Sequence, residues 1–159
     1  MVIIIFYTLV LLYFLVSIST EDYKTMLISD NKLLIFALTG LFYLLSLGLS
    51  KESTNSIELI VSNFFSMLIV FSMMYSIGYI SYKVFGINSL GLGDIKFSSI
   101  STIWIGLELS LISLCISFVL SAIYSLHGKI TKRLLPFQQY PFAPFLSIGI
   151  FCAWIIDKI

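Results

Sequence analysis

The sequence predicts an all-α, polytopic membrane protein of six transmembrane helices, in one domain over residues 1–159. Composition is the first reason: 59% of residues are hydrophobic and 11% charged, against roughly 25% charged in soluble globular domains. The second is a mean hydropathy of +1.06. The third is that the apolar residues fall in charge-free runs, most of which reach the roughly 18 to 20 residues that cross a hydrocarbon core. A lipid bilayer is therefore the expected surrounding. Nine basic residues against eight acidic leave a net charge of +1, so no basic excess points to nucleic acid.

The first run, Val2–Thr20, lacks a basic leading region and is followed by Glu21 and Asp22 rather than a small-residue cleavage site. It reads as a retained helix, not a secretory signal. Leu33–Ser50 and Leu59–Tyr82 follow, separated by the polar loop Lys51–Ser56. The fourth run, Phe97–Leu107, has only eleven residues, which as a helix cover roughly 17 Å of a roughly 30 Å core. Extending it back to Ile87 gives 21 residues and draws Asp94 and Lys96 into its first turns. Lys96 can then snorkel to water while Asp94 sits at the membrane boundary. Leu109–Leu126 is the fifth run, the basic loop His127–Tyr140 comes next, and Leu134–Ile156 is the sixth. Three prolines, Pro136, Pro141 and Pro144, stand at the start of that last run and predict an irregular entry to the membrane, serving either as a wall of a site or as an ordinary helix start.

Loop charges set an orientation. Lys24, Lys32, Lys83, Lys96, Lys129, Lys132 and Arg133 fall on one side, leaving only Lys51 and Lys158 on the other. The positive-inside bias thus predicts cytoplasmic loops after spans one, three and five, with both termini outside the cytoplasm. Asp22 and Asp94 then lie near the cytoplasmic face.

Ionisable groups in apolar segments are costly and mark function. Asp94 sits in Gly91-Leu92-Gly93-Asp94-Ile95-Lys96, where Gly91 and Gly93 remove side-chain bulk and let another chain approach closely. An extended peptide needs such a gap. The competing account makes Asp94 a cap on its own helix start. Asp22 closes the first apolar segment in a turn that also holds Glu21 and Asp30, balanced by Lys24 and Lys32. Composition does not choose among those three acids. Should Asp22 and Asp94 meet, two neighbouring carboxylates would hold one proton between them, as peptide hydrolysis by water requires. Such chemistry needs no metal.

Other candidates are weaker. His127 has no histidine, cysteine or acid at ligand spacing, and reads as a solvated loop residue. With one histidine and no GxSxG, a serine triad lacks support. Cys115 and Cys152 form no CxxC and read as packed, inert thiols. Glu58 and Glu108 suit cap or interfacial roles near the outer face.

Three segments together carry a resemblance: Asp22 through Ile28, Ser29 and Asp30; Gly91 through Lys96; and Pro141-Phe142-Ala143-Pro144-Phe145. In this order they are similar to the signature segments of type IV prepilin peptidases, which are GxGD-type intramembrane aspartyl proteases. The resemblance spans the whole chain. It implies that Asp22 and Asp94 are the catalytic pair, with Gly91, Gly93, Pro141 and Pro144 shaping the site. Ser29 stands where many members carry proline, and Ala143 where glycine is common. The paired CxxC region of longer members is not among these residues, so the resemblance implies a peptidase without methyl transfer and without S-adenosylmethionine or another cofactor. The implied partner is a prepilin or pseudopilin, cut after a glycine at the cytoplasmic border of a bacterial inner membrane. Glu21 or Asp30 could attract the lysines of its leader. A presenilin-like branch would carry a PAL segment, and Pro144-Phe145-Leu146 is not one. From the residues alone, a proton-coupled transporter or a non-catalytic assembly subunit is the rival reading. The oligomeric state is not readable from the sequence.

Overall fold

The structure, a computed structural model, describes residues 2–50, 56–86, 90–132 and 139–158. Within them the chain forms α1 (Val2–Thr25), α2 (Asp30–Ser50), α3 (Ser56–Phe85), α4 (Leu92–Ile130) and α5 (Ala143–Lys158), with no strand. Four of these five helices, α1 to α4, are long and apolar enough to cross a membrane. The expected six spans are thus corrected, for two physical reasons.

The fourth and fifth runs belong to one helical element. No loop separates them; α4 instead passes through Gly106 at φ 75° and ψ 178°, a backbone conformation that suits glycine. A straight helix would hold Asp94 and Tyr124 roughly 45 Å apart. Tyr124 nevertheless packs on Phe145 at 5.4 Å, near the start of α5, while Trp104 packs on Trp154 at 6.1 Å near its end. Asp94 also lies within electrostatic reach of Asp22, which is bonded to Ala143. The chain therefore turns back at Gly106.

The sixth run is shortened by its prolines. Residues 139–142 are not helical, and α5 begins only at Ala143. Its 16 residues cover about 24 Å. Pro136 and the residues 133–138 around it lie outside the described residues, as do 51–55 of the outer loop and 87–89 of the proposed backward extension of span four. That extension is not needed for α4 to begin, because its helix starts at Leu92, directly after Gly91.

Two other expectations shift. The turn placed at 22–30 is shorter, since α1 stays helical through Thr25, whose Oγ1 donates to the Glu21 carbonyl at 2.9 Å. The helix closes at Met26, which takes φ 52° and donates its amide to the Asp22 carbonyl at 2.8 Å. His127 belongs to the last turn of α4, not to a loop. Cys115 is exposed on α4 while Cys152 is partly buried, and both are free thiols.

An aromatic stack binds α2, α4 and α5. Trp104 stacks on Phe36 at 5.4 Å and on Tyr43 at 5.7 Å, and Tyr43 meets Trp154 at 5.1 Å. The Trp104 indole N–H donates to the Phe36 carbonyl at 3.1 Å, satisfying the one polar atom it buries. Along the other seam α1 and α5 run antiparallel. Trp154 Nε1 donates to Thr8 Oγ1 at 3.0 Å, Ser19 Oγ to Ser147 Oγ at 2.7 Å, and the Ala143 amide to Asp22 Oδ2 at 3.0 Å. This ladder fixes the height of Asp22 against α5. Gly149 lets α5 settle on the later half of α4, where a Cβ would meet the Ser113 carbonyl oxygen and Ser117 Oγ at 2.3 Å each. Small residues at such contacts are how apolar helices associate where burial from water gives no drive.

Candidate active site

Asp22 lies in the last turn of α1 and is 5% exposed. Its carboxylate faces the start of α5. Oδ2 accepts the Ala143 amide at 3.0 Å, and the Phe142 amide is within electrostatic reach of the carboxylate. The amide inventory of α5 explains this. Pro144 has no N–H, and the amides of Phe145 and Leu146 both turn back to the Phe142 carbonyl, at 3.0 and 3.2 Å. Phe142 and Ala143 hold the remaining first-turn donors, and buried donors must be satisfied. Asp22, contributed by another helix, is the cap.

Asp94 is the third residue of α4, counted from its cap residue Gly91, which has no capping side chain of its own. Its carboxylate lies toward the Gly91 amide, the side on which the acid of a capping box sits. Oδ2 lies on that side: a Cβ on Gly91 would stand 3.1 Å from it. Oδ1 is buried and has no hydrogen-bond partner. An enclosed carboxylate oxygen without a donor is costly. It is therefore the atom of this site most in need of a partner.

The glycines act as the sequence suggested in one respect and not in another. At Gly93 the space left by the missing side chain is taken by Ile28 of the α1–α2 turn, whose Cβ would lie 3.2 Å from an added Cβ. The close approach is made by the protein's own chain. Ile28 thereby holds the turn after Asp22 against the start of α4. Pro141 and Pro144 bracket the amides of Phe142 and Ala143 beside Asp22, so both stand at the site.

The neighbouring acids are engaged elsewhere. Glu21 Oε2 lies 3.1 Å from Lys32 Nζ as an ion pair without hydrogen-bond geometry, and Asp30 pairs with Lys96 at 2.7 Å at an exposed position. A shallow cleft of about 250 Å³ is lined by Thr20, Glu21, Lys24, Thr25 and Lys32, and includes neither Asp22 nor Asp94. Among the described residues, no group of three His, Cys, Asp or Glu side chains is placed to hold a metal ion.

Two carboxylates from α1 and α4, brought into electrostatic reach at one end of a helical bundle, are an arrangement that a peptidase could use. A family model, the type IV leader peptidase family, matches residues 9–126. The chain belongs to this family. No curated protein and no solved structure matches it. For a leader peptidase, the matched segment contains both Asp22 and Asp94 and ends before α5. The residues that reasoning from sequence missed are the main-chain amides of Phe142 and Ala143 and the side chain of Ile28. The amides had a signal: two prolines flanking two residues leave few donors at a helix start, and those donors need an acceptor.

Proposed function

We propose that this leader peptidase is of the aspartic type, that Asp22 and Asp94 are its reacting pair, and that it hydrolyses prepilins or pseudopilins after a glycine at the cytoplasmic border of a bacterial inner membrane. The observation that carries the reading is the enclosed, unpartnered Oδ1 of Asp94 within electrostatic reach of Asp22. With one proton between them, one carboxylate takes a proton from water as its oxygen attacks the scissile carbonyl, while the other donates a hydrogen bond to the carbonyl oxygen. Collapse of the tetrahedral intermediate breaks the C–N bond and returns a proton to the leaving amine. The reading covers hydrolysis alone.

The site lies at the end of the bundle that also carries the Lys32–Glu21 and Lys96–Asp30 pairs, which supports a position at the membrane–water border. A purely structural reading of Asp22 is favoured by its capping of α5, and one experiment separates the two. Asp22→Asn keeps an oxygen acceptor for the cap and removes the titrating group. With a co-expressed prepilin, both Asp22→Asn and Asp94→Asn should reach the membrane at wild-type levels and leave the leader uncut. Processing by the Asp22→Asn chain would reduce Asp22 to a cap.

A further inference from the structure

The α5 start is built around two donors that no atom of its own segment accepts. Pro144 removes one first-turn donor, and the Phe142 carbonyl takes the amides of Phe145 and Leu146. Of what is left, the Ala143 amide donates to Asp22 Oδ2 at 3.0 Å, with the Phe142 amide beside it. Side chains on either side add no competing group: Ala143 is fully buried and apolar, and Ser19 is occupied with Ser147. Asp22 is therefore fixed by a rigid helix end, whereas Asp94 leaves Oδ1 open.

We infer that the first amides of α5, above all that of Ala143, are positioning groups for peptide hydrolysis: they hold the Asp22 carboxylate in one orientation beside Asp94. The inference rests on the reading of Asp22 as one of the reacting pair. Its physical basis is that a carboxylate hydrogen-bonded to a buried amide at a helix N-terminus loses freedom to rotate about its last torsion, and catalytic groups are effective when held within a narrow geometry. Pro141 and Pro144 serve this arrangement by fixing φ on both sides of the two donors and withholding donors of their own. The segment after the matched residues 9–126 thus takes part in the chemistry through the main chain, not through a side chain.

The test replaces the amide joining Phe142 to Ala143 with an ester, by incorporating lactic acid at position 143 in the full-length chain. This deletes the Ala143 N–H and leaves the buried methyl in place. An ester at Ile148, an exposed position of the same helix, is the control, since it weakens a helical hydrogen bond to a similar degree without touching Asp22. With purified protein and a prepilin substrate, the ester at 143 should lower kcat about 10- to 100-fold, the size of one hydrogen bond to a charged group. KM should stay within about twofold, and the ester at 148 should leave kcat within about twofold. A wild-type kcat with the ester at 143, alongside an inactive Asp22→Asn, would overturn the positioning role and leave the aspartyl pair standing. An active Asp22→Asn would bring down both, and is recognised because it is the side-chain variant that survives. Should the ester chain fail to accumulate, the amide proton of Ala143 in isotope-labelled wild type reports the contact: it should resonate downfield and move upfield in Asp22→Ala. An unmoved resonance would overturn the inference.

Discussion

Asp22 serves two purposes with one carboxylate, and they separate by substitution. As the cap of α5 it accepts the Ala143 amide; as a proposed reacting acid it stands within electrostatic reach of Asp94. Asp22→Ala removes both, and the lost cap should lower stability by about 0.5–2 kcal/mol. Asp22→Asn should retain most of that stability, a difference readable as a shift in thermal unfolding of the detergent-solubilised protein. Equal destabilisation by Ala and Asn would show that the side-chain oxygen is not what α5 needs. At this scale the sequence singled out the two acids only when three segments were taken together, since Glu21 and Asp30 are carboxylates in surroundings similar to those of Asp22. The structure separates them by partner: Glu21 and Asp30 sit on lysines, Asp22 on a helix end. The amides could not be read from residue identities, because every residue but proline carries one.

At the scale of elements, the apolar runs located the helices well and their ends poorly. Charge marks where a run leaves the membrane, but not where hydrogen bonding stops. Hence α1 runs on through Glu21, Asp22 and Lys24, and α5 begins nine residues later than the charge-free run that contains it. Charge placed a break at Glu108, between the fourth and fifth runs and two residues from Gly106, but gave no sign that the turn needs no loop, because the positive φ of Gly106 replaces one. Gly149 is the complementary case, a glycine whose role is contact. Adding a methyl there brings a Cβ to 2.3 Å from the Ser113 backbone oxygen, and backbone cannot swing aside as a side chain can. Gly149→Ala should therefore destabilise by about 1–3 kcal/mol, seen as a lower unfolding temperature. It should also weaken cleavage, since α5 carries the amide that holds Asp22. An unchanged unfolding temperature would mean that α4 and α5 can part at no cost.

For the whole molecule, composition alone placed the chain among membrane proteins, and the helices agree: large apolar side chains such as Phe64, Phe65, Leu68 and Ile69 of α3 are exposed, as lipid-facing residues are. Orientation rests on the loop charges. Lys132 follows the end of α4 and is exposed, so a cysteine placed there should react with a membrane-impermeant reagent only when the cytoplasmic face is open. Labelling from the outside would invert the arrangement and put both acids on the wrong side for the proposed cytoplasmic leader. Bundle architecture was less legible than class, because hydropathy does not show that the fourth and fifth runs form one element bent at Gly106, or that α5 waits until after Pro141 to begin. The central claim concerns the two carboxylates acting as one unit, and the most direct measurement is the rate of prepilin cleavage by wild type, Asp22→Asn, Asp94→Asn and the double variant in matched membranes. Each single substitution should lower the rate at least about a hundredfold, with the double variant no slower than the worse single. A single variant that still cleaves near the wild-type rate, or losses that simply multiply in the double, would contradict it.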